Sequence, residues 1–219
     1  DLKIAHCSDA ACTSATITSL DTVGSVGWDT SVTAGADGLG LITYYDLTNS
    51  GLKVAHCSDP TCTSATITSL DIGGTVGWDT SVTIGADGLG LISYYDVTNT
   101  DLKVAHCSNV VCTSATITSL DTGGSVGKMS SVTVGADGLG LISYYDDTND
   151  DLKVAHCSNV ACTSATITSL DTGGTVGRDT SVTIGVDGLG LISYYDVTNF
   201  DLKILHCENS LCVPYFRRR

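Results

Sequence analysis

From Ser81 the chain alternates polar and apolar residues, Ser81-Val82-Thr83-Ile84, the two-residue period of a strand with one buried face. Gly85-Ala86-Asp87-Gly88 follows, and its Asp-Gly pair signals a hairpin turn. Leu89 to Tyr95, dense in β-branched and aromatic residues, predicts a second strand. Asp96-Val97-Thr98-Asn99-Thr100-Asp101 turns the chain again, because Asp and Asn hydrogen-bond their own backbone. A third strand is expected over Leu102 to Cys107, then a turn over 108–111, then a fourth strand from Cys112 through Leu120. Asp121-Thr122-Gly123-Gly124 breaks that strand, and a Gly-containing linker leads to Ser131. No segment shows the 3.6-residue period of a helix.

The same pattern recurs every fifty residues, so the repeat governs any reading of single positions. Four short antiparallel strands per unit describe a propeller blade, whereas solenoids use shorter repeats and parallel coils. The expected fold is all-β: a single domain over 1–219 with four full blades (31–70, 81–120, 131–170 and 181–216) and one half blade. Residues 1–20 supply only an outer hairpin, and 217–219 form a basic tail. The last blade ends in a degenerate fourth strand, Cys212 to Phe216, where Pro214 suits an outer edge. Both termini offer the same outer hairpin, and only one can dock on the inner strands of 181–195. The surplus hairpin is expected to complete a blade on a neighbouring molecule, unless the chain is a segment of a longer array. Open edges recruit other chains.

The units resemble the Ser-Tyr-Tyr-Asp…Asp-Leu-Lys-Val-Ala-His-Cys tandem repeats of uncharacterised secreted bacterial proteins. The resemblance covers the chain up to Cys212. It implies a β-propeller fold and no particular activity.

Of the 219 residues, 42% are hydrophobic and 16% charged, enough apolar material for a core, with Val, Ile, Thr and Tyr in place of helix formers. The net charge of −14 argues against nucleic acid and against anionic membranes, and no apolar run is long enough to insert. Ten cysteines pair at one local spacing: Cys7 with Cys12, Cys57 with Cys62, Cys107 with Cys112, Cys157 with Cys162, and Cys207 with Cys212. That spacing fits a disulfide across a hairpin turn and an oxidising compartment, hence an extracellular or cell-surface protein. A metal reading would need a fourth ligand that the repeat does not offer.

Candidate chemistry is sparse. His6, His56, His106, His156 and His206 share a strand face with nearby Leu and Val and read as packed, hydrogen-bonded scaffold. One active site needs one such residue, not five copies. The Tyr pairs, such as Tyr94-Tyr95, are expected to pack one ring on each blade face. The turn from Asp96 to Asp101 has oxygens for calcium but lacks the acid density of an EF-hand loop. No nucleophile elbow, zinc-protease motif or phosphate loop occurs, and Glu208 stands alone where a sialidase-like site needs a Tyr-Glu pair and an arginine cluster.

The units differ most just before the inner strand, where Trp28 and Trp78 give way to Lys128 and Arg178. Trp28, Asp29, Asp46 and Asn49, with Trp78, Asp79, Asp96 and Asn99, are expected on one loop face. Aromatic rings beside carboxylates and amides suit a sugar. The other reading packs both tryptophans between blades. Arg217-Arg218-Arg219 is a disordered tail or a contact for an acidic neighbour. Two functions remain. One is a non-enzymatic extracellular structural or interaction scaffold that self-associates into oligomers or filaments through the surplus hairpin. The other is a lectin-like adhesion module that binds glycans.

Overall fold

The computed structural model describes residues 1–213, and every regular element in it is a strand. The first sheet pairs β1 (Leu2–Cys7) with β2 (Ala15–Asp21). Three four-stranded sheets follow: β3 (Val26–Ala34), β4 (Gly40–Asp46), β5 (Gly51–Cys57) and β6 (Ala65–Asp71); β7 (Val76–Ile84), β8 (Gly90–Asp96), β9 (Asp101–Cys107) and β10 (Ala115–Asp121); β11 (Val126–Val134), β12 (Gly140–Asp146), β13 (Asp151–Cys157) and β14 (Ala165–Asp171). The last sheet has β15 (Val176–Ile184), β16 (Gly190–Asp196) and β17 (Asp201–His206). Within each sheet the strands are antiparallel neighbours in chain order.

The sheets pack face to face in sequence. β3 meets β7, β7 meets β11 and β11 meets β15, with no comparable contact between β15 and β3 among the described residues. The structure therefore shows a series of repeated sheets, and the propeller arrangement expected from the repeat is not itself displayed. The expected fourth strand of the last sheet is not formed at Cys212 and Val213, and Pro214 to Phe216 and the basic tail lie outside the described residues.

Each core lies between two sheets. Leu41, Leu52 and Val54 of one sheet pack on Val76, Val82, Ile92, Tyr94 and Ala105 of the next. Gly77 makes this approach possible: a Cβ there would meet Leu52 Cα at 2.8 Å, and its φ of 98° is one that L side chains rarely adopt. All five expected disulfides are formed, with Cα–Cα distances of 4.8–4.9 Å. Cys107 and Cys112 are fully buried in the sheet interface, so the cystine packs as core as well as closing its turn.

Every interface also holds a buried charge cluster. Lys103 Nζ donates to Asp71 Oδ2 of the preceding sheet at 2.9 Å and sits 3.3 Å from Asp96, while the Tyr94 hydroxyl donates to the same Asp71 oxygen at 2.8 Å. The cluster recurs as Asp121–Lys153–Asp146–Tyr144 and as Asp171–Lys203–Asp196–Tyr194. It also joins the first hairpin to the sheet that follows, since Asp21 accepts from Tyr44 and Lys53 and Leu2 packs against Gly27. The hairpin expected to be surplus thus has its face docked within the chain.

Four of the five repeated histidines, all but the exposed His6, are tied to turns. His56 Nε2 lies 3.0 Å from Asp37 and His156 Nε2 2.9 Å from Asp137, each joining the third strand to its sheet's first hairpin turn.

Candidate aromatic cleft

The second half of the linker anticipated before each inner strand is strand. β3 and its counterparts begin at the valine after the turn, and the register shifts twice, at Val26/Trp28 and Trp28/Ser31. Gly27 and Asp29 take positive φ, 85° and 49°, and these bulges lift Trp28 out of the alternation that would have buried it. Trp78 is raised in the same way by Gly77 and Asp79. Trp28 remains 55% exposed and Trp78 40%, so neither is core between sheets.

The two tryptophans share a cleft of about 400 Å³ with Asp29, Asp79, Tyr45 and Leu47. The Tyr45 and Trp78 rings meet edge to face at 5.9 Å, and Trp28 Nε1 donates to Ser25 at 3.2 Å, so the walls are set before any ligand arrives. Four of the eight residues picked from the sequence therefore come together: Trp28, Asp29, Trp78 and Asp79. The other four do not line the cleft. Asp46 is buried, accepts from the backbone N–H and Nδ2 of Asn49 at 3.0 and 2.8 Å, and pairs with Lys53 at 3.3 Å. Asp96 and Asn99 repeat this, so what the turn holds against Asp96 is the Lys103 ammonium. No group of three or more His, Cys, Asp or Glu is placed to hold a metal among the described residues.

Tyr45 and Leu47 escaped the sequence reading. A signal existed: Tyr45 is the cross-strand partner of Trp28, and an aromatic pair on one sheet face is a unit of recognition as readily as of packing.

Next to the cleft lies a second hollow of about 310 Å³, where Asp29, Asp79, Met129 and Asp179 meet above Thr30, Thr80, Ser130 and Thr180. A staircase of hydrogen bonds crosses it. Asp79 N–H donates to Asp29 Oδ2 at 3.3 Å, Met129 N–H to Asp79 Oδ2 at 2.8 Å, and Asp179 N–H to Met129 Sδ at 3.2 Å. Burial, with the Asp29 and Asp179 charges adding to it, pushes the Asp79 carboxyl above the usual range against the Met129 N–H and Lys128.

No protein-family model matches the chain, and no curated protein matches it. Solved structures do. A Dyadobacter fermentans protein of unknown function aligns with a TM-score of 0.60 at 13% identity over 84% of this chain and 62% of its own. An exo-β-1,3-galactanase of Phanerochaete chrysosporium with β-1,3-galactotriose gives 0.58 at 11% identity, over 97% of this chain and 52% of its own. A putative exo-β-1,3-galactanase of Bifidobacterium bifidum gives 0.56 at 14%, over 87% and 72%. The chain thus spans less than two thirds of the first two proteins, and the likeness is one of fold, which assigns it no activity. The expectation of a non-enzymatic, self-assembling scaffold is nonetheless corrected. Two of these three neighbours are galactanases by name, and the hairpin on which assembly rested has one face docked within the chain.

Proposed function

We propose that this protein is an extracellular carbohydrate-binding module, and that its sheets form the arc of a β-propeller with the aromatic cleft on one rim. The observation that carries the reading is the pair of half-exposed tryptophans, Trp28 and Trp78, facing a shared cleft beside Asp29 and Asp79. A sugar ring has an apolar C–H face for an indole and hydroxyls for carboxylates, and the cleft offers both kinds of surface within one saccharide's reach. The fold shared with galactanases supports a carbohydrate ligand, and the buried disulfides support an oxidising environment. The cleft belongs to one pair of units, so the site is single rather than repeated around the molecule.

The test is calorimetry and tryptophan fluorescence against a panel of oligosaccharides that includes β-1,3-linked galactose. Binding that quenches fluorescence and disappears in both Trp28→Ala and Trp78→Ala is the expected result. A full panel without a hit, on protein that melts cooperatively, would overturn the reading.

A further inference from the structure

Three clefts between successive units are built on one plan, and two are already filled. In the second, Lys128 Nζ lies over the Tyr95 ring at 5.6 Å, and in the third the Arg178 guanidinium lies over Tyr145 at 5.1 Å. Each tyrosine face there accepts a cation supplied by the protein itself. The first cleft differs at the positions that matter. Trp78 replaces the cation over Tyr45, Leu47 stands where the third cleft has Asp147, and the bulge residues are Asp29 and Asp79 where the third has Met129 and Asp179. Asp29 and Asp79 each commit Oδ2 to a backbone N–H, and the other oxygen of each accepts no hydrogen bond among the described residues. Lys128, whose charge acts on Asp79 from the second cleft, is itself paired with Asp147 at 2.6 Å and does not line the first cleft. The first cleft is therefore aromatic, carries two carboxylates and lacks a cation of its own, on a chain of net charge −14.

We propose that the sugar this cleft takes carries a protonated amine, as in oligosaccharides of glucosamine, with the ammonium between Asp29 and Asp79 and the ring against Trp28 and Trp78. The proposal rests on the carbohydrate reading above and narrows it to one chemical class. Uronic and sialic acids are rejected by the same carboxylates, since like charges brought together without a counter-ion cost affinity. A neutral sugar keeps the stacking and loses the ion pair.

The test compares chitosan oligomers with their fully N-acetylated counterparts and with oligogalacturonate, by calorimetry at low salt near pH 6, where the amine is protonated. The amine form should bind roughly tenfold tighter than the acetylated form, the margin of one partly desolvated ion pair. Asp29→Asn with Asp79→Asn should abolish that margin, bringing the amine and acetylated forms to equal affinity. Oligogalacturonate should not bind. Equal affinity for amine and acetylated forms, or a preference for galacturonate, overturns this proposal and leaves the carbohydrate reading standing. Binding of tetramethylammonium with no binding of any oligosaccharide overturns both.

Discussion

At the residue scale, the side chains that differ between units separate binding from folding. Trp78 is 40% exposed and touches Tyr45 mainly along one edge, so Trp78→Ala should shift stability by no more than about 1 kcal/mol while removing sugar affinity. Tyr94 gives the opposite pattern. It is fully buried, and its hydroxyl donates to a carboxylate that also holds Lys103. Tyr94→Phe should cost about 1.5–3 kcal/mol in urea denaturation and leave binding at the first cleft unchanged. Trp28 and Trp78 were legible in the sequence because they stand out against a repeat whose scaffold positions are constant, and Asp29 and Asp79 because they directly follow them. Tyr45 was not, since both rings of the pair are core, as their alternation predicts, and only the assigned faces show that Tyr45 also floors the cleft. Asp46 and Asn49 misled for a related reason: polar turn residues look available until Lys53 is seen to reach them from β5.

At the element scale, each pair of sheets is held by a charged cluster set in an apolar interface, which ties stability to pH. Burial opposes ionisation of Asp121, but hydrogen bonds from Lys153, Tyr144 and the Gly123 N–H hold its carboxyl below the usual range. Asp71 is held low in the same way by Lys103, Gly73 N–H and Tyr94. The Lys203 bond brings Asp196 down to about 2, with Asn199 adding to it. A carboxyl whose folded pKa lies below its unfolded value contributes stability that is complete above about pH 4 and fades as pH falls through the folded value. Asp79 and Asp101, raised chiefly by burial, act in the opposite sense and partly offset the loss. The urea midpoint should therefore be flat near neutrality and fall between about pH 4 and about pH 2. Asp121→Asn should lower the neutral plateau and shallow the acid slope, whereas an unchanged slope would show that the cluster does not titrate as a unit. The disulfides act at this scale too. Each closes a loop with a sequence separation of 5, so replacing Cys157 and Cys162 together by serine should cost about 2 kcal/mol from chain entropy, and more because both are buried. The strands and their pairing were readable from alternation and turn residues. The inward extension of β3, β7, β11 and β15 was not, since Gly27 and Asp29 look like loop until the bulge is seen to continue the ladder.

At the scale of the whole molecule, each sheet packs chiefly on its neighbours in chain order, so stability is close to a sum of unit and interface contributions. The two ends then differ from the middle in a way the repeat alone does not announce. Leu102 and Val104 are wholly buried under the following sheet, but their counterparts Leu202 and Ile204 are 74% and 66% exposed on β17. At the other end Val32 is exposed where Val82, Val132 and Val182 are buried, because β1 and β2 lack the inner strands that would cover it. The fifty-residue period fixed the number of sheets, but whether their faces close is decided by contacts between distant units that are nearly identical in sequence. Opening free energy should follow the same order. In hydrogen exchange, amides of β8 and β12, covered on both faces, should be slowest, and those of β1, β2, β16 and β17 should exchange first, by at least tenfold. Because the units are so alike, intrinsic sequence effects nearly cancel between equivalent amides such as Leu91, Leu141 and Leu191, of which the first two are buried and the third only partly, and the remaining difference reports coverage. Equal protection at Leu191 and Leu141 would mean that the last sheet's face is covered in solution, and that the series closes.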